Sequence, residues 1–158
     1  DARYAFAIPE GFDDLQAAPL LCAGLIGYRA LRMAGDARVV GTFLARGAQL
    51  NRDLSAFDTD KVADIIAAAR ALGRDAGAGL AAMKASRPVS ARGRRVQTES
   101  IAGFSAAQTA ARSLLEIVRL APQGKKVAKR IAALDKQYRA SLNAFDKRLG
   151  NAFRATGL

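Results

Sequence analysis

Cys22 is the one thiol of the chain, set in the stretch AAPLLCAGLIGYRALRMAG, residues 17–35. A thiolate is both a nucleophile and a soft metal ligand, and either task needs a base or further ligands beside it. The 158 residues include no histidine. Ser-His-Asp and Cys-His nucleophilic catalysis are therefore excluded, as is any metal site that requires imidazole from this chain. One cysteine makes no internal disulfide, and a reducing, cytoplasmic setting is expected. The competing reading of Cys22 is a small buried apolar side chain.

Other residue patterns invite chemistry and have plainer explanations. Asp135 and Asp146 lie eleven residues apart, three helical turns, so they share a face without adjoining as an acid/base pair would. Ion pairing with Lys136 or Arg139 accounts for them. Asp58, Asp60 and Asp64 gather at a predicted helix start, where they complement the helix dipole; a calcium loop needs more ligands and its glycine. GAGLAA, residues 77–82, fits G-x-G-x-x-A. The dinucleotide fingerprint requires a strand before that turn, and VADIIAAARALGRDA is a helical pattern, so helix-packing glycines are expected instead.

Charge is unevenly placed. Residues 1–85 hold ten Lys/Arg and ten Asp/Glu, while residues 86–158 hold fifteen and four, so the formal charge of +11 sits in the second half. Such asymmetry suits an acidic partner, nucleic acid or an anionic surface. The clusters ARGRRVQ and GKKVAKR can neutralise phosphates in a salt-sensitive way. They can equally be solvated surface: Lys125, Lys126, Lys129 and Arg130 flank an apolar stripe, and Tyr138, Phe145 and Phe104 fall on core stripes rather than on stacking platforms. No helix-turn-helix, zinc-finger or RNA-binding sheet pattern is present.

The elements that would position these residues are helical. No apolar run approaches the ~20 residues of a membrane span. DARYAFAIPEGF has no basic region before an apolar stretch, so a secretory signal is not expected. The absence of an initiating methionine points to processing or to a cut from something longer. A helical segment over Cys22–Met33 is expected to stop at Gly35, with Pro19 interrupting the chain before it. Val40, Phe43, Gly47, Leu50, Leu54 and Phe57 then recur at helical spacing. A second helix, capped by Asp58 or Thr59, carries Val62, Ile65, Ile66, Ala69, Leu72, Ala76, Leu80 and Met83. SRPVSARGRR reads as a linker broken by Pro88 and Gly93, with a third helix from about Thr98 that ends at APQG. The fourth stripe is Val127, Ile131, Leu134, Tyr138, Leu142, Phe145 and Leu149. The expected fold is mainly α: an antiparallel bundle of about four helices over residues 38–158, preceded by a distinct segment over residues 1–37.

That first segment, IPEGFDDLQAAPLLCAGLIGYRALRMAG, resembles the medium-chain, zinc-dependent alcohol dehydrogenases over residues 4–35. In that family a Pro-acidic-Gly segment leads into an Ala-Ala-Pro-Leu-Leu-Cys-Ala-Gly turn and a helix that passes from the catalytic to the nucleotide-binding domain. The resemblance implies that Cys22 matches a ligand of the catalytic zinc, in an oxidoreductase that passes a hydride from an alcohol to NAD(P). The family's other zinc ligands, a cysteine and a histidine-glutamate pair, lie upstream of this segment and are absent here. Threonine often stands four residues after the cysteine in the family, and Ile26 stands there in this chain. RVVGTFLARGAQL replaces the expected strand and glycine turn. The implied origin is a fragment or fusion that is inactive as an isolated chain and binds neither zinc nor NAD(P). A frame change near residues 36–40 and a genuine fusion would each produce such a sequence. The alternative function is a basic helical module that docks an acidic partner through residues 86–158.

Overall fold

The computed structural model describes residues 14–57 and 61–157, with side chains given for Ile26 and from Met33 onward. The protein is mainly α. Its elements are α1 (Asp14–Ser55), α2 (Val62–Ala85), α3 (Ala91–Leu120), a 3-10 segment (Ala121–Val127) and α4 (Ala128–Thr156). No strand occurs among the described residues. The chain divides into two compact units, Asp1–Ala34 and Gly35–Leu158. The packing described below is that of the second unit.

The order of residues along each interface makes successive helices antiparallel. Gln97 meets the end of α2 at Met83, while farther along α3 Ala111 faces Gly73. Arg92, in the first turn of α3, donates to Ala155 O at the end of α4, and Arg130, at its start, pairs with Glu116 near the end of α3. An up-down-up-down bundle with short connections follows.

The core is filled from all four helices: Val39, Phe43 and Leu50 of α1, Leu72, Ala76 and Met83 of α2, Val96, Phe104 and Ala107 of α3, Phe145 and Ala152 of α4. Most of these residues lie on the apolar stripes of the sequence, while Val39, in place of Val40, and Val96 and Ala152, beyond the stripes of α3 and α4, join them; burying each large side chain stabilises the fold by roughly 1.5–3 kcal/mol. Val62, on the predicted stripe and the first residue of α2, is instead 58% exposed. Small residues let α2 and α3 approach closely. A Cβ on Gly79 would stand 3.0 Å from the Phe104 ring, and one on Gly77 would stand 3.1 Å from Gln108 Nε2. Residues 77–82 lie wholly within α2, so GAGLAA is a helix-packing surface and not a phosphate turn.

Three boundaries differ from the sequence expectation. α1 does not stop at Gly35 and is not interrupted at Pro19; both lie inside it. Gly35 is instead a contact point, where a Cβ would meet Val89 Cγ2 at 3.3 Å. α3 begins at Ala91, seven residues before Thr98. Ser90 Oγ accepts from Gly93 N at 3.0 Å and so caps the helix, which turns the supposed breaker into its third residue. A Cβ at Gly93 would overlap the Asp36 carboxylate, which accepts from Val89 N and Ser90 N at 3.3 Å each. Glycine is there for close approach. α2 begins at Val62, with Lys61 as the residue before it. Asp58 and Thr59, expected to cap it, lie outside the described residues.

The remaining ends are closed locally. Gln97 Nε2 donates to Met83 O and Ser86 O at 2.8 Å each and so ties the first turns of α3 to the end of α2, where Ser86 N also donates to Met83 O. Gly124, at φ 67° and ψ −149°, takes the α3–α4 connection through a conformation open essentially to glycine alone. Gly157, at φ 65°, ends α4 in the left-handed region.

Candidate functional site

Cys22 lies on α1 within the unit Asp1–Ala34, and its side chain is outside the described residues. Among the described residues no group of three or more Cys, Asp or Glu side chains is placed to hold a metal ion. No described helix is long and apolar enough to cross a membrane.

Of the carboxylates weighed from sequence, Asp135 is paired at the surface, and Asp58 and Asp60 lie outside the described residues. Asp135 Oδ2 accepts from Arg139 Nε at 2.9 Å, one turn apart on α4. Asp146 lies on a different part of that helix, beside an open apolar hollow of about 460 Å³ between α1 and α4 that includes Leu44 and Phe153. Asp64 stands in the first turn of α2, as dipole complementarity expects.

A different carboxyl pair has one buried member. Asp53 is 8% exposed, and its Oδ2 has no hydrogen-bond partner. Gln49 Nε2 donates to Oδ1 at 3.1 Å from one turn earlier. Burial pushes the Asp53 carboxyl above its ordinary value, and the nearby charge and carboxyl oxygen of Asp75 push it further. Asp75 itself lines an open hollow of about 720 Å³ between α1 and α2, with Arg46 and Gln49. The pair was legible only in part: Asp53 follows Leu50 by three residues and so occupies a core-stripe position, whereas its apposition to Asp75 depends on helix register.

The basic clusters separate by role. In ARGRRVQ, Arg92 Nε donates to Ala155 O at 2.9 Å and Arg94 Nη1 to Val89 O at 3.4 Å, so both tie backbone ends together. In GKKVAKR, Arg130 joins Arg119 on Glu116, while Lys125, Lys126 and Lys129 are exposed. Phe104 and Phe145 are fully buried, which removes them as stacking surfaces for bases, and Tyr138 is half-buried. A cluster that sequence reasoning missed lines an open groove of about 410 Å³ between α2 and α3: Arg70, Arg74 and Arg112. Arg70 and Arg74 are spaced i, i+4 on one helix, a visible signal. Their meeting with Arg112 required the α2–α3 register.

Comparison with known proteins gives one short likeness. A stretch of 30 residues, 19% of the chain, is 57% identical to a Mycobacterium tuberculosis (strain CDC 1551 / Oshkosh) protein described as "Probable alcohol dehydrogenase AdhA". The chain spans 9% of that relative's length. No family model matches the chain, and no solved structure matches it. The likeness supports a dehydrogenase-like segment only.

Proposed function

We propose that residues 4–35 descend from the domain junction of a zinc-dependent, NAD(P)-linked alcohol dehydrogenase, and that the isolated chain oxidises no alcohol. The 57% identity over 30 residues, confined to 9% of the dehydrogenase, carries this reading. Alcohol oxidation at zinc takes three protein ligands on the metal, a bound alcohol oxygen and an adjacent nicotinamide. Toward that set this chain offers Cys22. A thiolate alone does not hold a catalytic zinc. The protein is thus expected to retain no zinc after purification and to reduce no NAD(P)+ with simple alcohols. Metal analysis and the rate of nicotinamide reduction test this, and equimolar chelator-resistant zinc or measurable turnover would overturn it. A lone thiol suits a reducing cytoplasm.

A second reading concerns the bundle, which we infer to be a basic docking module for an acidic partner. The observation that favours it is the scarcity of compensating charge. Of the fifteen basic residues in 86–158, Arg119, Arg130, Arg139 and Arg148 form ion pairs among the described residues. Binding to DNA, RNA or anionic vesicles that weakens steeply with added salt is expected. No binding at low salt, or binding indifferent to salt, counts against it.

A further inference from the structure

We propose that the groove between α2 and α3 binds an acidic amphipathic peptide segment, with Arg70, Arg74 and Arg112 holding its carboxylates and the floor taking an apolar side chain. This rests on the reading of the bundle as a basic module and names the place and the partner chemistry.

The two rims are cationic. Arg70 and Arg74 lie one turn apart on α2, and Arg112 faces them from α3. None of the three has an ion-pair partner among the described residues, whereas the guanidiniums of Arg119, Arg130, Arg139 and Arg148 each meet a carboxylate. Like charges at i, i+4 destabilise a helix. Guanidiniums also stay charged at any ordinary pH, so the repulsion is not relieved by deprotonation. An anionic ligand across the groove would relieve it and would accept paired N–H donors, the geometry in which arginine binds carboxylates best.

The floor decides which anion. It is made by Gly73, Ala111 and Leu115, and a Cβ on Gly73 would rest 3.5 Å from that of Ala111, so the two helices close it tightly. Gln108 is the one uncharged polar side chain at its edge. A phosphodiester backbone would pair with the arginines and leave this apolar strip uncovered. A helical segment with an apolar stripe and carboxylates on either side covers both, which is the usual way an amphipathic helix docks in a groove.

The test uses the full chain and fluorescence anisotropy with three probes: a helical peptide with one leucine stripe flanked by glutamates, polyglutamate, and single-stranded DNA. Two variants lose the same charge, Arg70→Gln/Arg74→Gln/Arg112→Gln in the groove and Lys125→Gln/Lys126→Gln/Lys129→Gln outside it. The groove variant is expected to weaken peptide binding by about tenfold, the scale of three partly exposed ion pairs. The outside variant is expected to change it by less than about threefold. Equal losses from both variants overturn the groove and leave the basic-module reading standing. Polyglutamate bound as tightly as the peptide overturns the role of the floor, and DNA bound more tightly through the same three arginines overturns the choice of partner. Absence of binding by every probe at low salt overturns both readings. The single variants Arg74→Gln and Arg112→Gln, each expected to give part of the loss, carry the same test should the triple variant lose helicity.

Discussion

Asp53, buried on α1, has its carboxyl pushed above the ordinary value first by burial and then by Asp75, a half-buried carboxyl on α2. Asp53 Oδ2 is buried with no donor, and the Gln49 amide serves the other oxygen. Desolvation is the larger cause of the raised Asp53 value, and Asp75 adds to it. The Gln49 hydrogen bond and the charge of Arg52 pull the other way with less effect.

A raised carboxyl makes the bundle more stable in acid than at neutrality, as far as this group is concerned. Its contribution is fully present below the unfolded value, near 3.8, and is lost as pH rises through the higher folded value. Asp53→Asn removes the ionisation and supplies an N–H toward Asp75. It is expected to stabilise the protein at neutral pH by about 1 kcal/mol, the cost of one unsatisfied buried polar group. Urea unfolding across a pH series measures this. The gain must shrink as the pH falls, and a gain that ignores pH would sink the explanation.

Glu99 titrates with the opposite sign. Burial raises its carboxyl, but hydrogen bonds from Asn151 and Arg148 on α4 outweigh that and hold it below the usual glutamate value. The bonds are 3.2 Å from Asn151 Nδ2 and 3.1 Å from Arg148 Nη1 to Oε2. Stability from this group is present above about 4.5 and is lost as pH falls through the lower folded value. Glu99→Gln is expected to cost about 1 kcal/mol at neutral pH and to flatten the acid limb of the unfolding curve. An unchanged acid limb would show that the α3–α4 contact does not depend on this charge.

The stripes that name the core were readable in the chain because apolar spacing is a local property. Phe43, Leu50, Leu72, Phe104 and Phe145 are where the 3.6-residue period places them, and all are buried. The ends of α1 and α3 were less legible, because their decisive contacts are distant in sequence. Gly93 reads as a breaker until Asp36, 57 positions earlier, is seen to occupy the space of its missing Cβ. Gly35 reads as a stop until Val89 packs on it. The same holds for the candidate sites. The Asp53–Asp75 pair and the arginine groove are products of helix register, which no periodicity within one helix fixes. Cys22 presents the reverse case, since its significance rests on a shared string of residues and on no geometry of the bundle.

Gly41 isolates backbone cost from packing. It is exposed in the interior of α1, and a Cβ there would meet nothing within 4 Å. Gly41→Ala is therefore expected to stabilise the protein by about 1 kcal/mol through helix propensity alone. Thermal unfolding followed by circular dichroism reads this as a raised midpoint. A lowered midpoint would mean that the open face of α1 is covered by something the alanine methyl disturbs.

Gly79 lies in the same kind of helix interior, and the opposite sign is expected. Its Cβ would stand 3.0 and 3.1 Å from two ring carbons of Phe104. The ring is fully buried at 0% exposure. An end-on methyl at that distance demands a ring shift that close-packed surroundings resist, at roughly 1–3 kcal/mol. The propensity gain of about 1 kcal/mol offsets only part of it. Gly79→Ala should thus destabilise, and Phe104→Leu should destabilise by leaving space where the ring was. Combined, the two should cost less than the sum of the single variants, because the smaller leucine admits the new methyl. A double-mutant cycle on urea-unfolding free energies gives the coupling, expected at about 1 kcal/mol in favour of the pair. Strict additivity would mean that α2 and α3 separate to accommodate the methyl, and that the glycine does not set their spacing.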